Sequence, residues 1–353
     1  MNESATADLK RTVKLAVRVI ILALVIWGIW RAGRVAYGEW TTRTNELRAK
    51  TERLEKSLQK DPTDSQIAEQ LHQAKSESSS LQRIEIRWLL LAGVLYIAGL
   101  LPSWWFWHQA MRRMNQRPNP LQSLWAYFLG HLGKYVPGKA LVVIIRSTTV
   151  AGPDVRVAAA ALSVFVETLT MIAVGGFVAA AILACLTSNR FLVVVSFALA
   201  CVAAIPIVPA VFQRMVRTVR KNSLTDELQQ WVGNLDLKFL VSGWLAIGIG
   251  WFALGGSLWA TMRSLPVIEP LLNTPDSWII ATGCAALAMV GGFVSLLPGG
   301  LGVREWVVMA VLTPRFGPIA AFAAAGLLRL VWLLSELAIC AVLWLAQRYA
   351  RRP

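Results

Sequence analysis

Long apolar stretches separated by short basic clusters dominate this chain. A helix needs about 20 mostly apolar residues to cross the hydrocarbon of a bilayer. Six stretches are expected to do so: 14–36, 88–111, 157–187, 191–213, 239–262 and 316–347. The first is bracketed by Arg18 and Arg31, whose aliphatic stems let their charged heads reach the headgroups. Two further apolar stretches are broken in the middle. Residues 121–145 are interrupted by Lys134-Tyr-Val-Pro-Gly-Lys139, and 277–313 by Pro298-Gly-Gly-Leu-Gly-Val-Arg-Glu305. Neither half of the first stretch is long enough to span, and the second half of the other is short as well. Irregular backbone at membrane depth is tolerated only where protein buries it or a wet cavity faces it. Both segments are therefore expected to be re-entrant hairpins that enter and leave on the same side.

Residues 39–86 carry a different pattern. Trp40, Leu47 and Leu54 recur every seven residues, and Ile67, Leu71, Ala74, Ser78 and Leu81 follow with 4-3-4-3 spacing. Such stripes suit a narrow helix–helix seam. Asp61-Pro62 marks a turn between them, and Thr63 with Gln66 has the spacing of a capping box. The expectation is an antiparallel helical hairpin outside the membrane, continuous with the first two spans.

Composition removes the soluble classes. Hydrophobic residues make up 56% of the 353 and charged residues 16%, against about 25% charged in soluble domains. Residues 31–87 alone hold 11 of the 35 basic and 9 of the 20 acidic side chains. Most remaining basic residues flank apolar segments, as topology signals do. With the N-terminal cluster Lys10, Arg11, Lys14 and Arg18 in the cytoplasm, the clusters at 112–117, 146–156, 214–221 and 348–352 also fall there. Both termini are thus expected in the cytoplasm of a cell (plasma or inner) membrane protein, with 39–86 outside. Arg31 and Arg34 follow the first span without a small-residue cleavage site, so a retained signal anchor is expected. Cys185, Cys201, Cys284 and Cys340 lie inside apolar runs without metal-ligand spacing, which makes them small core residues.

The two broken segments resemble each other. Pro137-Gly138 is followed by Gly152-Pro153 and a long apolar helix carrying Glu167. Pro298-Gly299 is followed by Gly317-Pro318 and a long apolar helix carrying Arg329. The charge rule puts one hairpin inside and the other outside, which makes an inverted repeat, an architecture of alternating-access transporters.

Soluble-enzyme motifs are absent: there is no HExxH, GxSxG, Walker loop or dinucleotide fingerprint. His72, His108 and His131 are scattered, and tryptophans such as Trp104, Trp105 and Trp107 sit near span ends as an aromatic belt. The chemistry therefore rests on ionisable residues at membrane depth: Lys134, Lys139, Arg146, Glu167, Arg304, Glu305, Arg329 and Glu336. Each costs about 2.5–3.5 kcal/mol at a helix centre on insertion scales, so internal pairing or a wet cavity is implied. Glu167 and Arg329, at matching repeat positions with opposite sign, are expected to pair or face one another. Lys139, Arg146 and Arg304 stand beside backbone freed by glycine and proline, where N–H groups and cations attract phosphate.

Three segments carry a family resemblance: Leu132–Arg146 (LGKYVPGKALVVIIR), the helix with Glu167, and Gly291–Leu312 (GGFVSLLPGGLGVREWVVMAVL) followed by the helix with Arg329. Over about 88–347 the chain resembles the transmembrane-region family of lysylphosphatidylglycerol synthases/flippases. The resemblance implies movement of phospholipid or lipid-linked cargo between leaflets. It implies a core motif of Pro137, Gly138, Lys139, Arg146, Glu167, Pro298, Gly299, Gly300, Gly302, Arg304, Glu305 and Arg329. The aminoacylating members carry a large soluble C-terminal domain, so lysyl transfer is not expected of a chain that stops at Pro353.

The expected protein is all-α and polytopic, with about six spans, two re-entrant hairpins related as an inverted repeat, and an extracytoplasmic helical hairpin. Its parts are a cytoplasmic tail and first span (1–38), the hairpin (39–86) and two membrane halves (87–236 and 237–353). The expected function is non-enzymatic lipid translocation. An anionic or lipid-linked headgroup would be held by Lys139, Arg146, Glu167, Arg304, Glu305 and Arg329, without cofactor, metal or nucleic acid. The alternatives are a membrane scaffold that recruits an extracytoplasmic protein through 39–86, or a membrane-embedded lipid-modifying enzyme.

Overall fold

A computed structural model describes residues 44–62, 64–80, 84–135, 140–186, 230–231, 233–266, 271–274, 276–295 and 297–350, with Val194 and scattered residues between 27 and 42. The described secondary structure is helical apart from one isolated bridge between Gly152 and Val155. In chain order the helices are α1 (Ser65–Ser80), α2 (Ile86–Arg113), α3 (Pro120–Leu132), α4 (Ala140–Val150), α5 (Val157–Leu186), α6 (Leu237–Arg263), α7 (Ser277–Val294), α8 (Val303–Phe316) and α9 (Pro318–Ala350). Residues 44–60 are also helical. Short 3-10 turns stand at Gly133–Tyr135 after α3 and at Pro298–Gly300 before α8.

Among the described residues five helices, α2, α5, α6, α7 and α9, are long and apolar enough to cross a membrane. At 1.5 Å per residue, α2 with its 28 residues reaches about 42 Å, more than the ~30 Å hydrocarbon thickness. The 13, 11 and 14 residues of α3, α4 and α8 reach only about 16–21 Å. Four expected spans correspond to α2, α5, α6 and α9. The fifth is α7, because the first arm of 277–313 is itself 18 residues long. The expected span 191–213 lies outside the described residues except for Val194. Of 14–36 only Trp27, Trp30, Arg31, Arg34 and Val35 are described, all helical.

Helix starts follow local chemistry. Asn119 accepts hydrogen bonds from the Leu121 and Gln122 amides (2.9 and 3.2 Å), and Pro120, which has no N–H to orphan, opens α3. Asp236 caps α6 by accepting from the Phe239 amide at 2.8 Å. At α1 the cap is Asp64, which accepts from the Gln66 and Ile67 amides (2.9 and 3.2 Å). This corrects the expected Thr63 start by one residue. Thr63 itself lies outside the described residues.

Small residues set the packing of the spans. α2 lies along α6, and a Cβ on Gly99 would stand 2.9 Å from the Gly250 carbonyl oxygen, one on Gly250 2.6 Å from that of Gly99. Phe106 covers Gly243, and Trp251 covers Gly175 of α5. Lipid supplies no hydrophobic drive between spans, so close backbone approach and van der Waals contact take its place.

The two broken segments fold as helical hairpins. α3 packs on α4, α7 packs on α8, and both sets lean on long helices: α4 on α5, α3 on α9, and α8 on α9. Their turns meet, since a Cβ on Gly299 would lie 3.4 Å from Cδ1 of Tyr135. In the polar hairpin, Leu47, Leu71 and Ala74 are buried, and Lys75 pairs with Glu55 of the other arm at 2.7 Å. The heptad stripes thus face each other. α1 and α2 are separate helices with Glu85 extended before α2, so on this side the hairpin does not continue into the span as expected.

Candidate functional site

Where the hairpin turns meet, the sequence has concentrated charge in an apolar bundle. Each hairpin uses the same device to bring an arginine there. The aliphatic stem of Arg146 in α4 lies across Gly130 of α3, and that of Arg304 in α8 across Gly292 of α7. A Cβ at Gly130 would overlap the Arg146 stem, and one at Gly292 would stand 2.6 Å from Cγ of Arg304. Only glycine leaves room for a long side chain to run between the arms.

Arg146 and Glu167 form a buried ion pair (Nη1 to Oε2, 2.8 Å). Their side chains are 4% and 2% exposed, so the desolvation cost must be offset by further bonds. Tyr127 donates to Oε1 of Glu167 at 3.3 Å, Thr168 to Oε2 at 3.3 Å, and the guanidinium lies 4.0 Å from the centre of the Tyr127 ring. Arg146 also reaches Nδ1 of His131 at 2.9 Å. The same nitrogen lies 3.2 Å from the Tyr127 carbonyl oxygen. The expectation that Glu167 pairs with Arg329 is thereby corrected: an arginine from the neighbouring hairpin arm reaches Glu167 first.

Arg329 pairs instead with Glu305 at 3.1 Å and donates to the Gly299 carbonyl at 3.2 Å. The other carboxylate oxygen of Glu305 accepts from the Gly302 amide at 2.7 Å, satisfying an orphan donor at the start of α8. Gly299, Gly300 and Gly302 have φ of 58°, 65° and 81°. L-residues with side chains adopt that region only at a cost, which accounts for the glycine density of the motif.

A third pair joins Lys134, at the first turn, to Glu336 of α9. Glu336 is fully buried, and Oε1 takes hydrogen bonds from both Lys134 and the Tyr96 hydroxyl of α2. Lys134 also bonds the Tyr96 oxygen at 3.3 Å. Tyr96 is held by stacking on Trp332, with ring centres 4.7 Å apart.

Arg304 is the exception. Among the described residues it has no ion pair and no hydrogen bond, and its Nε, like that of Arg146, is buried without a partner. It borders a cavity of about 140 Å³, together with His131, Lys134, Arg146 and Glu167. The rest of the wall is mostly apolar, from Met171 and Ile172 of α5, Trp251 of α6, and Met289, Val290 and Phe293 of α7.

Of the six headgroup residues expected from sequence, Arg146, Glu167 and Arg304 line this cavity. Glu305 and Arg329 form their pair at the second turn without lining it, and Gly299, Gly300 and Gly302 shape that turn along with Pro298. Lys139, Pro137 and Gly138 lie outside the described residues. In the sequence His131 is one of three scattered histidines, and Lys134 and Glu336 are marked only as charges at membrane depth. Tyr96, Tyr127 and Trp251 had not been singled out. A tyrosine in the middle of an apolar span is a usable signal, since its hydroxyl needs a polar partner there.

No curated protein matches the chain. Over residues 74–340, about three-quarters of its length, it matches the model of one family, and on that ground this multi-pass helical membrane protein belongs to the lysylphosphatidylglycerol synthase TM region family.

Proposed function

We propose that the protein is a non-enzymatic lipid translocase whose cavity takes the phosphodiester headgroup of an anionic lipid while the acyl chains stay in the bilayer. The observation that carries this reading is a charge count. At the hairpin turns the described residues place four cations, Lys134, Arg146, Arg304 and Arg329, against three carboxylates, Glu167, Glu305 and Glu336. Every carboxylate has a cation, and the excess charge is Arg304, on the cavity wall. A buried charge without a partner is costly, and a phosphodiester supplies one negative charge with acceptor oxygens that suit a guanidinium fork.

In this reading the short arms α3, α4 and α8 re-enter while α7 crosses, and the two hairpins form an inverted repeat that offers the cavity to each leaflet in turn. The short arms α3, α4 and α8 support that role. The ion-paired state of the three carboxylates weighs against use of one as a general base. The stripes of the polar hairpin are spent on each other, which weighs against a recruiting scaffold.

The test is leaflet exchange in proteoliposomes, with fluorescent phosphatidylglycerol compared against a lipid without phosphate. Wild type is expected to exchange the first and not the second. Arg304→Ala is expected to slow exchange about tenfold or more, since a charge-assisted hydrogen bond contributes about 1.5–3 kcal/mol. Folded wild-type protein that exchanges neither lipid overturns the reading.

A further inference from the structure

Lys134 belongs to two sites at once. The residue borders the cavity, and it is also the cation of Glu336, which does not border the cavity. The side chain is 16% exposed and that of Glu336 is 0% exposed. An anion entering beside Arg304 therefore meets a second cation already engaged by a carboxylate, and the two anions compete for it.

The surroundings of Glu336 set the outcome of that competition. Oε1 accepts from Lys134 and Tyr96, while Oε2 is buried and has no hydrogen-bond partner among the described residues. Tyr135 from the first turn and Cys340 from α9 also lie within its electrostatic reach. The other cations nearby, Arg304 of α8 and Arg329 of α9, act on Lys134 and Tyr135. Arg329 is held by Glu305. Drawing Lys134 into the cavity would leave a buried carboxylate with no cation of its own and only the Tyr96 and Tyr135 phenols beside it, a state that an apolar interior does not support.

We propose that binding of the headgroup is coupled to uptake of one proton by Glu336. The site holds four cations against three anions both before and after, with the phosphodiester, shared by Arg304 and Lys134, in the place of the Glu336 carboxylate. Before binding, the Lys134 ammonium faces the Glu336 carboxylate. Afterwards the ammonium faces the phosphodiester, and Glu336 is a neutral carboxylic acid with its new proton on Oε2. The proton comes from water entering with the headgroup and returns to water on release. A monoanionic lipid and a proton move together, so the cycle carries no net charge, and a pH difference rather than a membrane potential drives it. The inference rests on the headgroup reading and names its coupling ion.

Titration calorimetry of the full-length protein in detergent tests it. The probe is dihexanoyl-phosphatidylglycerol below its micellar concentration, in two buffers of equal pH and different ionisation enthalpy. Wild type is expected to bind with heats that differ by about one proton per headgroup. Glu336→Gln, whose amide replaces the carboxyl with similar shape, is expected to bind with equal heats in both buffers. No saturable heat from wild type overturns the headgroup reading itself. Saturable binding with equal heats overturns the coupling alone. Uptake that persists in Glu336→Gln also overturns it, and points to His131 as the acceptor. Should that variant fail to fold, a pH-sensitive dye inside wild-type proteoliposomes decides. Net movement of phosphatidylglycerol from the inner to the outer leaflet is expected to alkalinise the interior, and the same movement without a pH change overturns the proposal.

Discussion

The two hairpins solve one packing problem in the same way and end in different electrostatic states. Each threads an arginine stem over a glycine of its opposite arm. Arg146 then finds Glu167, His131 and the face of Tyr127, and only its Nε lacks a hydrogen-bond partner. Arg304 finds no partner among the described residues and faces the cavity. The first hairpin is sealed by its own charges, and the second keeps a charge available. Architecture alone therefore does not mark a binding residue. The distinction lies in which long helix offers a carboxylate within reach: α5 offers Glu167 to the first hairpin, whereas Glu305, the carboxylate nearest Arg304 in sequence, is taken by Arg329 and the Gly302 amide.

The sharpest way to break the comparison is to remove one anion and one cation separately. Glu167→Ala strands a buried guanidinium and is expected to destabilise the protein by about 3–5 kcal/mol, the usual cost of breaking a buried pair. Arg304→Gln strands nothing and is expected to leave the unfolding temperature in detergent unchanged or raised while exchange falls. A comparable loss of stability in both variants would show that Arg304 has a partner of its own.

The glycines provide the next test. Gly130→Ala and Gly292→Ala each drive a Cβ into an arginine stem and are expected to cost about 1–3 kcal/mol as overpacking. The first displaces a paired arginine and should lose more stability. The second displaces a free one and should lose more exchange than stability. Equal profiles in thermal unfolding and exchange would erase the asymmetry between the hairpins.

A smaller effect is expected from Tyr127→Phe, which removes the 3.3 Å bond to Glu167 and leaves the stacked ring in place. About 1 kcal/mol should be lost, with headgroup affinity unchanged in calorimetry. A large drop in affinity would mean that the first hairpin also contacts the headgroup through this network.

The smallest effect lies at the far ends of the second hairpin, where Arg315 near the end of α8 holds Asp276, just before α7, at 2.8 Å. The Arg315 and Thr274 hydrogen bonds lower the Asp276 carboxyl from 3.8 to about 2. A depressed carboxylate stabilises the fold above its unfolded value and loses that contribution as pH falls through its folded value. The latch should therefore weaken only between about pH 4 and 2. Arg315→Gln should abolish that part of the acid dependence while leaving stability at pH 7 nearly unchanged, because the pair is exposed. An unfolding curve whose acid limb is unaltered in the variant would remove the latch.

Much of the fold was legible from residue pattern because each decision was local. Twenty apolar residues make a spanning helix whatever surrounds them, and α2, α5, α6 and α9 follow from that rule. A short apolar arm cannot span, which marks α4 and α8. Runs such as Pro298-Gly-Gly-Leu-Gly break a helix for reasons internal to the backbone. The heptad stripes around Asp61-Pro62 likewise imply two arms facing each other. The site was legible only in its membership. Arg146, Glu167, Arg304 and Arg329 stand out because a charge at membrane depth must be compensated, but the compensating partner is a matter of distance. Repeat position suggested Glu167 with Arg329. In the folded chain each finds an opposite charge from its own half of the molecule, 21 residues from Glu167 in one case and 24 from Arg329 in the other.

By itself, then, the sequence determined that this chain is a helical membrane protein, where its helices break, and which side chains are too polar for the place they occupy. Those outcomes depend on runs of neighbouring residues and on the transfer cost of single groups. Only the tertiary structure decided that Lys134 reaches across 202 positions to Glu336, that Tyr96 and Trp251 come to the polar centre, and that Arg304 is left over. Those outcomes depend on which helices lie side by side. Over a few ångströms in a medium of low dielectric, that placement separates a neutralised charge from one that still needs an anion.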